Sequence, residues 1–180
     1  MEARSAKKET IVKLSNVLNV LMKIGEVTAV LAIVGGIVAV IVAPSIDFGA
    51  VTLKTIWGDS VNVNSVAEFR LRVCGEMLSL AVIAAIMFVA SYIFKDMTTQ
   101  HTPFAQKNAD RLKIISLLLI GFTIVVQPLK AFLIMVFVPG VNEFTFHINL
   151  AHFVFAAVFF CLALIFEYGV ILQQESDETL

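Results

Sequence analysis

The chain has 180 residues, of which 59% are hydrophobic and 15% charged, with a formal net charge of −1. Soluble domains are about 45–50% apolar and about 25% charged, so this composition excludes an ordinary soluble domain. Apolar stretches of about 20 residues, the length that crosses a bilayer as a helix, occur four times. We therefore predict an all-α integral membrane protein that forms a single four-span domain over residues 1–180, surrounded by the lipid bilayer.

The first segment, residues 1–23, is basic and carries apolar residues at helical spacing. This pattern predicts an N-terminal amphipathic helix that lies in the membrane interface ahead of the first span, residues 22–43. A cleaved signal peptide is the alternative, because a charged start precedes an apolar run. We favour an uncleaved span, since the run is long and Pro44 follows it without a small-residue cleavage site.

The loop 44–72 alternates apolar and polar residues from Val51 to Trp57, and Gly58–Asp59 precedes a second short alternating run. Period-two alternation is typical of a strand, and a pair that begins with glycine is typical of a tight hairpin turn. We predict a small β-hairpin between spans 1 and 2. Ser65 is placed to cap a short helix that leads into the second span, residues 73–94.

The loop 95–113 contains Thr102 followed by Pro103, the order of an N-cap and a first helical residue. The third helix is therefore expected to begin near Pro103, ahead of the third span at residues 114–138. The fourth span covers residues 148–172, and an acidic end follows it.

The distribution of lysine and arginine outside the spans predicts the orientation of the chain, because cytoplasmic segments carry an excess of these residues. The N-terminal arm has five if Lys23, at the start of the first span, is included, and the loop 95–113 has four, whereas the loop 44–72 has three and the last loop has none. Nine against three predicts that both termini and the loop 95–113 are cytoplasmic. The loop 44–72 and its hairpin are then extracytoplasmic.

Lys130 is the strongest single feature, because it lies about 12 Å inside the outer end of its span. A lysine near mid-membrane costs at least about 2.5–3.5 kcal/mol, which favours a counter-charge. We predict that Glu76, at comparable depth in span 2, supplies it. The helical face of Lys130 is expected to hold three more polar residues: Ser116, Thr123 and Gln127.

Pro128 is expected to kink the same span, because it removes a backbone hydrogen bond. Two interpretations of the polar set Lys130, Glu76 and Gln127 stay open at this point. One is an ion, proton or ligand site. The other is a structural ion pair or a lysine that extends toward the interface.

The sequence contains no nucleophile–base motif, phosphate-binding loop or zinc signature, so we predict neither an enzyme activity, nor catalytic residues, nor a cofactor. His147 and His152 do not share a helical face well, which argues against a metal or haem site. Cys74 and Cys161 are expected at different depths on different spans, a poor arrangement for a disulfide.

The C-terminal end carries Glu175, Asp177 and Glu178 without any lysine or arginine. Arg111 and Lys113 are expected to emerge on the same cytoplasmic side. Opposite charge would hold the two segments together, although each exposed pair is worth only about 0–1 kcal/mol. We predict that these five side chains form a docking surface for a small cytoplasmic partner.

Two segments resemble parts of one family of small bacterial four-span inner-membrane proteins of unknown function. Thr102–Lys113, T-P-F-A-Q-K-N-A-D-R-L-K, resembles that family's signature after the second span. Phe166–Leu180 resembles the C-terminal ending of that family. In this ending a glycine and a leucine precede the motif Q-E-(S/N)-D-x-T-(L/V). Ala105 and Tyr168 depart from the family pattern.

Members of that family are often encoded beside a small helix-turn-helix regulator of the Cro/CI type. The resemblance therefore implies a bacterial inner-membrane protein that binds and restrains such a regulator, without direct nucleic-acid binding of its own. The alternative function is a small transport or ion-conducting subunit that uses Lys130. A structural membrane protein that acts as a homo-oligomer is a third class that the sequence leaves open.

Overall fold

The computed structural model of the chain describes residues 2–45, 51–54, 60–100, 104–138 and 149–178. Helices dominate it, and one small antiparallel sheet lies between the first two. In chain order the elements are α1 (Glu2–Val42), a 3₁₀ turn (Ala43–Ser45), β1 (Val51–Lys54), β2 (Ser60–Val63), α2 (Val66–Gln100), α3 (Gln106–Gly121), a π-helical segment (Phe122–Val126), α4 (Gln127–Phe137) and α5 (Leu150–Glu178).

Four helical stretches in the described part of the chain are long and apolar enough to cross a membrane: Glu9–Ser45, Val66–Thr99, Gln106–Phe137 and Leu150–Ser176. Large apolar side chains lie on their outer surfaces, as in Ile41 (69% exposed), Leu117 (70%) and Leu150 (72%). Water solvates such apolar surfaces poorly, whereas the hydrocarbon tails of lipids accommodate them. The predicted number of helices able to span a membrane is confirmed, and the chain has the architecture of a multi-pass membrane protein.

The first helix differs from the prediction. We expected an interfacial amphipathic helix over residues 1–23 and then a separate span, but α1 is unbroken from Glu2 to Val42. The physical reason is that the first proline of the chain is Pro44, so no residue interrupts the backbone hydrogen bonds between the basic segment and the apolar one. The N-terminal segment is the first part of a single long helix.

The described residues form two compact units, to which α1 and α2 each contribute. The first unit comprises Met1–Val27, Ala84–Ile120 and Asn149–Leu180. The second unit comprises Thr28–Ile83 and Gly121–Ile148.

The core of the first unit lies between α2, α3 and α5, where four residues are buried: Ile93, Leu112, Ile115 and Ala163. Close approach of α1 to α2 in this unit depends on Gly25, because a Cβ there would lie 2.6 Å from the sulfur of Met87. The small residue therefore lets the two helices pack closely.

The core of the second unit contains Ala43, Val63 and Phe69, all buried. The predicted hairpin is confirmed, and β1 pairs with β2 so that Val51 lies opposite Val63 and Lys54 opposite Ser60. A two-residue turn at Gly58–Asp59 would instead place Trp57 opposite Ser60, so the expected register is wrong. The turn itself lies outside the described residues.

The start of α2 has the cap that the sequence predicts. Glu68 donates its backbone N–H to the Ser65 hydroxyl at 3.2 Å, and the Glu68 carboxylate accepts the backbone N–H of Asn64 at 3.1 Å. This reciprocal arrangement satisfies donors that a helix N-terminus otherwise leaves unpaired. The helix is not short, however, because it continues without a break into the second span.

The third span is one continuous helical stretch, Gln106–Phe137, but its start and its backbone before Pro128 differ from the prediction. Its helix begins at Gln106, with the Ala105 carbonyl accepting the N–H groups of Asn108 and Ala109. Pro103, where we expected the start, lies outside the described residues. Before Pro128, which has no N–H, the backbone widens into a π turn in which Gln127 donates its N–H to the Phe122 carbonyl.

The π turn lies within the expected polar face of Ser116, Thr123, Gln127 and Lys130. Ser116 and Thr123 are buried, and Ser116 donates to the Ala156 carbonyl at 2.8 Å. Lys130 bonds to α2. The common face of the four side chains stays a prediction.

Candidate functional site

The first candidate site, in the second unit, is an ion pair between α4 and α2. The Lys130 ammonium donates to the Glu76 carboxylate at 2.6 Å and to the Ser79 hydroxyl at 3.0 Å. The side chain of Lys130 is 12% exposed and that of Glu76 is 23% exposed. The contact predicted from the depths of the two charges in their spans is present, and Ser79 is a partner that we did not predict.

Two features of α2 position the lysine. The Ser79 hydroxyl donates to the Gly75 carbonyl at 3.1 Å, which orients its lone pairs toward the ammonium. At Gly75 a Cβ would lie 3.0–3.4 Å from the side-chain carbons of Lys130, so the absence of a side chain lets the lysine stem lie against the helix. Glu76, Gly75 and Ser79 fall at helical spacing and form one cradle for Lys130.

Gln127 does not belong to this cradle, since its side chain makes no hydrogen bond to Lys130, Glu76 or Ser79 in the described structure. Its part is in the backbone, where it closes the π turn just before Pro128. The site is thus a lysine held by two acceptors, close to an irregular stretch of helix. Such an arrangement compensates the charge of a lysine on an apolar helix.

The second candidate site, in the first unit, lies at the start of α3. Arg111 donates through one terminal nitrogen, Nη1, to the Asp96 carboxylate at 2.5 Å, the Asn108 side chain at 3.0 Å and the Tyr92 carbonyl at 3.2 Å. The guanidinium carbon lies 5.5 Å from the centre of the Tyr92 ring. Arg111 is therefore fixed against α2.

Lys113 is also paired within the first unit. Its ammonium lies 2.5 Å from the Glu167 carboxylate of α5, which accepts a further hydrogen bond from Gln106 at 3.2 Å. We had expected Arg111 and Lys113 to pair with the acidic end of the chain. Arg111 bonds instead to Asp96, and Lys113 bonds to Glu167. Glu175 and Glu178 are exposed on α5, and the Asp177 side chain lies outside the described part.

An aromatic contact joins the same two elements. The Phe104 ring meets the Phe166 ring edge-on, with 5.5 Å between their centres. It also lies on Gly169, where a Cβ would come within 2.8 Å of the ring carbons Cε1 and Cγ. The two segments that resemble the membrane family, Thr102–Lys113 and Phe166–Leu180, therefore contact each other through Phe104.

Reasoning from the sequence missed Asp96, Glu167 and Tyr92 as partners of these cations. The signal that could have found them is position, because each lies within a few residues of the end of a span, at the level of Arg111 and Lys113. Glu26 follows Lys23 by three residues in the sequence, and the charged groups of the two side chains are 2.7 Å apart.

No group of three or more metal-ligating side chains occurs among the residues that the structure describes. His152 is buried near the start of α5, and His147 lies outside the described ranges. Cys74 and Cys161 are both free and exposed thiols.

The family described as Protein of unknown function (DUF2975) matches residues 54–180, a range that contains both Thr102–Lys113 and Phe166–Leu180. No curated protein and no solved structure matches the chain. Because the match covers more than half of the sequence, the chain belongs to this family, and the membership in a family of unknown function that the sequence indicates is confirmed.

Proposed function

We propose that this member of DUF2975 is a regulatory protein of the bacterial inner membrane that binds and restrains a small cytoplasmic helix-turn-helix regulator. The proposal places both termini in the cytoplasm, which the count of nine lysines and arginines against three supports. The observation that carries it is the acidic, exposed C-terminal end of α5.

This end is not arranged for the stability of its own helix. The last turn of α5 contains Glu175, Asp177 and Glu178 and no basic residue. The C-terminus of a helix carries a partial negative charge, so carboxylates there are unfavourable and cations are favourable. A basic partner would therefore gain both from the carboxylates and from the helix terminus.

Two basic residues that we expected beside these carboxylates have other partners. Arg111 and Lys113 are held by Asp96 and Glu167. A partner therefore does not have to displace Arg111 or Lys113 at the acidic end of α5.

The end of α5 is also held in place. Phe104 packs on Gly169 and Phe166, and Glu167 bonds to Lys113, so α5 is attached to α3 less than three turns before the acidic residues. A docking element presented on a fixed helix loses less entropy on binding than a mobile tail.

The experiment compares two variants with the same loss of charge. One replaces Glu175 and Glu178 by Gln; its matched control replaces two other exposed carboxylates, Glu9 and Asp110, by Gln and Asn. Each is expressed with a tagged helix-turn-helix protein encoded beside its gene, and membranes are assayed for the regulator. We expect the Glu175/Glu178 variant to lose most of it and the control to retain it. Equal retention in both would contradict the proposal.

A second function, ion or solute transport, is favoured by one specific observation. Lys130, Glu76 and Ser79 form a polar cradle in otherwise apolar stretches, next to a π turn of the kind frequent at functional sites. If this is the activity, proteoliposomes should show a flux of protons or ions that Lys130→Met abolishes. The same variant should still retain the regulator if the first proposal is right.

A further inference from the structure

The first unit contains a second group of cations that the proposed regulator binding does not use. Three cations surround the ring of Tyr92: Lys23 of α1, Lys95 of α2 and Arg111 of α3. Each lysine Nζ lies 6.0 Å from the ring centre, and the guanidinium carbon of Arg111 lies 5.5 Å from it. We call Tyr92 and these three cations the Tyr92 cluster. Like charges repel one another, so the convergence of three cations around one exposed ring needs a reason.

Internal carboxylates neutralise the cluster only in part. Glu26 lies 2.7 Å from Lys23, and Asp96 lies 2.5 Å from Arg111. Lys95 is exposed and has no carboxylate partner among the described residues. Three cations against two carboxylates leave one positive charge in excess.

Hydrogen-bond donors also stay available. Arg111 uses only Nη1 for its three bonds, so Nε and Nη2 donate to no described residue. The side chain of Lys23 is 49% exposed, and the Tyr92 hydroxyl lies on an exposed side chain. A guanidinium edge, an ammonium and a phenol together match the several oxygens of a phosphate group.

The position of the cluster identifies the source of the phosphate. Lys23 lies at the start of the first predicted span, Lys95 follows the second directly, and Arg111 precedes the third by three residues. Tyrosine and basic residues at the ends of spans lie at the level of the lipid headgroups. Basic pockets between membrane helices at this level bind anionic lipid headgroups.

We propose that the Tyr92 cluster is a binding site for the phosphate headgroup of an anionic phospholipid. The headgroup would bond to the free edge of Arg111 and to Lys95, beside the Tyr92 ring. The Phe88 ring, which meets Tyr92 edge-on at 4.9 Å and lies under Lys23 at 5.3 Å, provides an apolar surface for the start of the acyl chains.

The test measures lipid binding by the purified full chain with native mass spectrometry, using phosphatidylglycerol and phosphatidylcholine as probes. Lys95→Gln and Tyr92→Leu alter the cluster, and Lys107→Gln removes an exposed charge from the same unit as a matched control. We expect Lys95→Gln to lower the affinity for phosphatidylglycerol about fivefold, the factor equal to about 1 kcal/mol per basic residue at the headgroups. Lys107→Gln should leave it unchanged, and no variant should change phosphatidylcholine binding.

Three results would overturn the inference. The first is equal binding of both lipids by the wild-type chain. The second is the same loss of affinity in the Lys95 and Lys107 variants, because this shows diffuse attraction to the basic surface. The third is displacement of the lipid by inorganic phosphate alone at millimolar concentration, because this shows a site for free phosphate. Circular dichroism of each variant confirms that its helices are intact, and retention of the regulator by Lys95→Gln separates this result from the proposed function.

Discussion

The two units each hold a lysine–glutamate pair of nearly the same length in very different surroundings. Lys130 and Glu76 of the second unit are 2.6 Å apart and 12% and 23% exposed. Lys113 and Glu167 of the first unit are 2.5 Å apart and 38% and 26% exposed. The Ser79 hydroxyl accepts a further hydrogen bond from Lys130. The Lys113–Glu167 pair lies instead beside the Phe104–Phe166 contact.

This comparison shows that the length of an ion pair does not determine its contribution to stability. Where water is excluded, removing one partner leaves a charge without compensation. Where water reaches both groups, solvent replaces the lost partner at little cost. We therefore expect charge to hold the second unit at Lys130 and apolar packing to hold the first unit around Lys113.

The largest expected effect comes from Lys130→Met. It should lower the free energy of unfolding by about 3–5 kcal/mol, because the partly buried Glu76 carboxylate loses the ammonium group that bonds to it. Adding Glu76→Gln should recover part of this loss. The measurement is a double-mutant cycle of unfolding in detergent. Purely additive losses would show that the pair contributes nothing as a pair.

A smaller effect is expected from Gly169→Ala, which tests packing in the first unit. The new methyl group would overlap the Phe104 ring, so we expect a loss of about 1–3 kcal/mol. Gly35→Ala is the matched control, because nothing lies within 4 Å of a Cβ there. It should stabilise α1 slightly, by about 0.5–1 kcal/mol. In a Phe104→Ala background the cost of Gly169→Ala should disappear, and its persistence would place the clash elsewhere.

The smallest effect is expected from Lys113→Gln. This exposed pair should change the thermal midpoint less than Gly169→Ala does, and the difference from wild type should shrink as salt rises, because ions screen exposed charges. Thermal unfolding at low and high salt measures it. A loss as large as that of Lys130→Met, or one insensitive to salt, would reverse the comparison between the two units.

The sequence carried enough information for features that depend on local pattern. Four apolar stretches, the alternation around Val51 and the cap at Ser65 all gave the right elements. The Lys130–Glu76 contact was also predictable, because a lysine at that depth has few ways to be compensated and only one acidic residue lay at a matching depth.

Features that depend on rotation of one helix against another were not predictable. Several carboxylates lie at the level of Arg111: Asp96, Glu167 and those of the C-terminal end. Helix packing determines which of them Arg111 bonds to, and the spacing of residues in the sequence does not show that packing. Reasoning from the sequence also missed the π turn at Phe122–Val126. Pro128 indicates that a backbone hydrogen bond is lost, but it does not indicate how the preceding backbone adjusts to that loss.

The central claim is that the acidic end of α5 lies in the cytoplasm, where a regulator can bind it. Reporter fusions after Lys113, after Asn142 and at the C-terminus test this most directly. We predict that a cytoplasmic reporter is active after Lys113 and at the C-terminus, and that a periplasmic reporter is active only after Asn142. A periplasmic reporter that is active at the C-terminus would contradict the account.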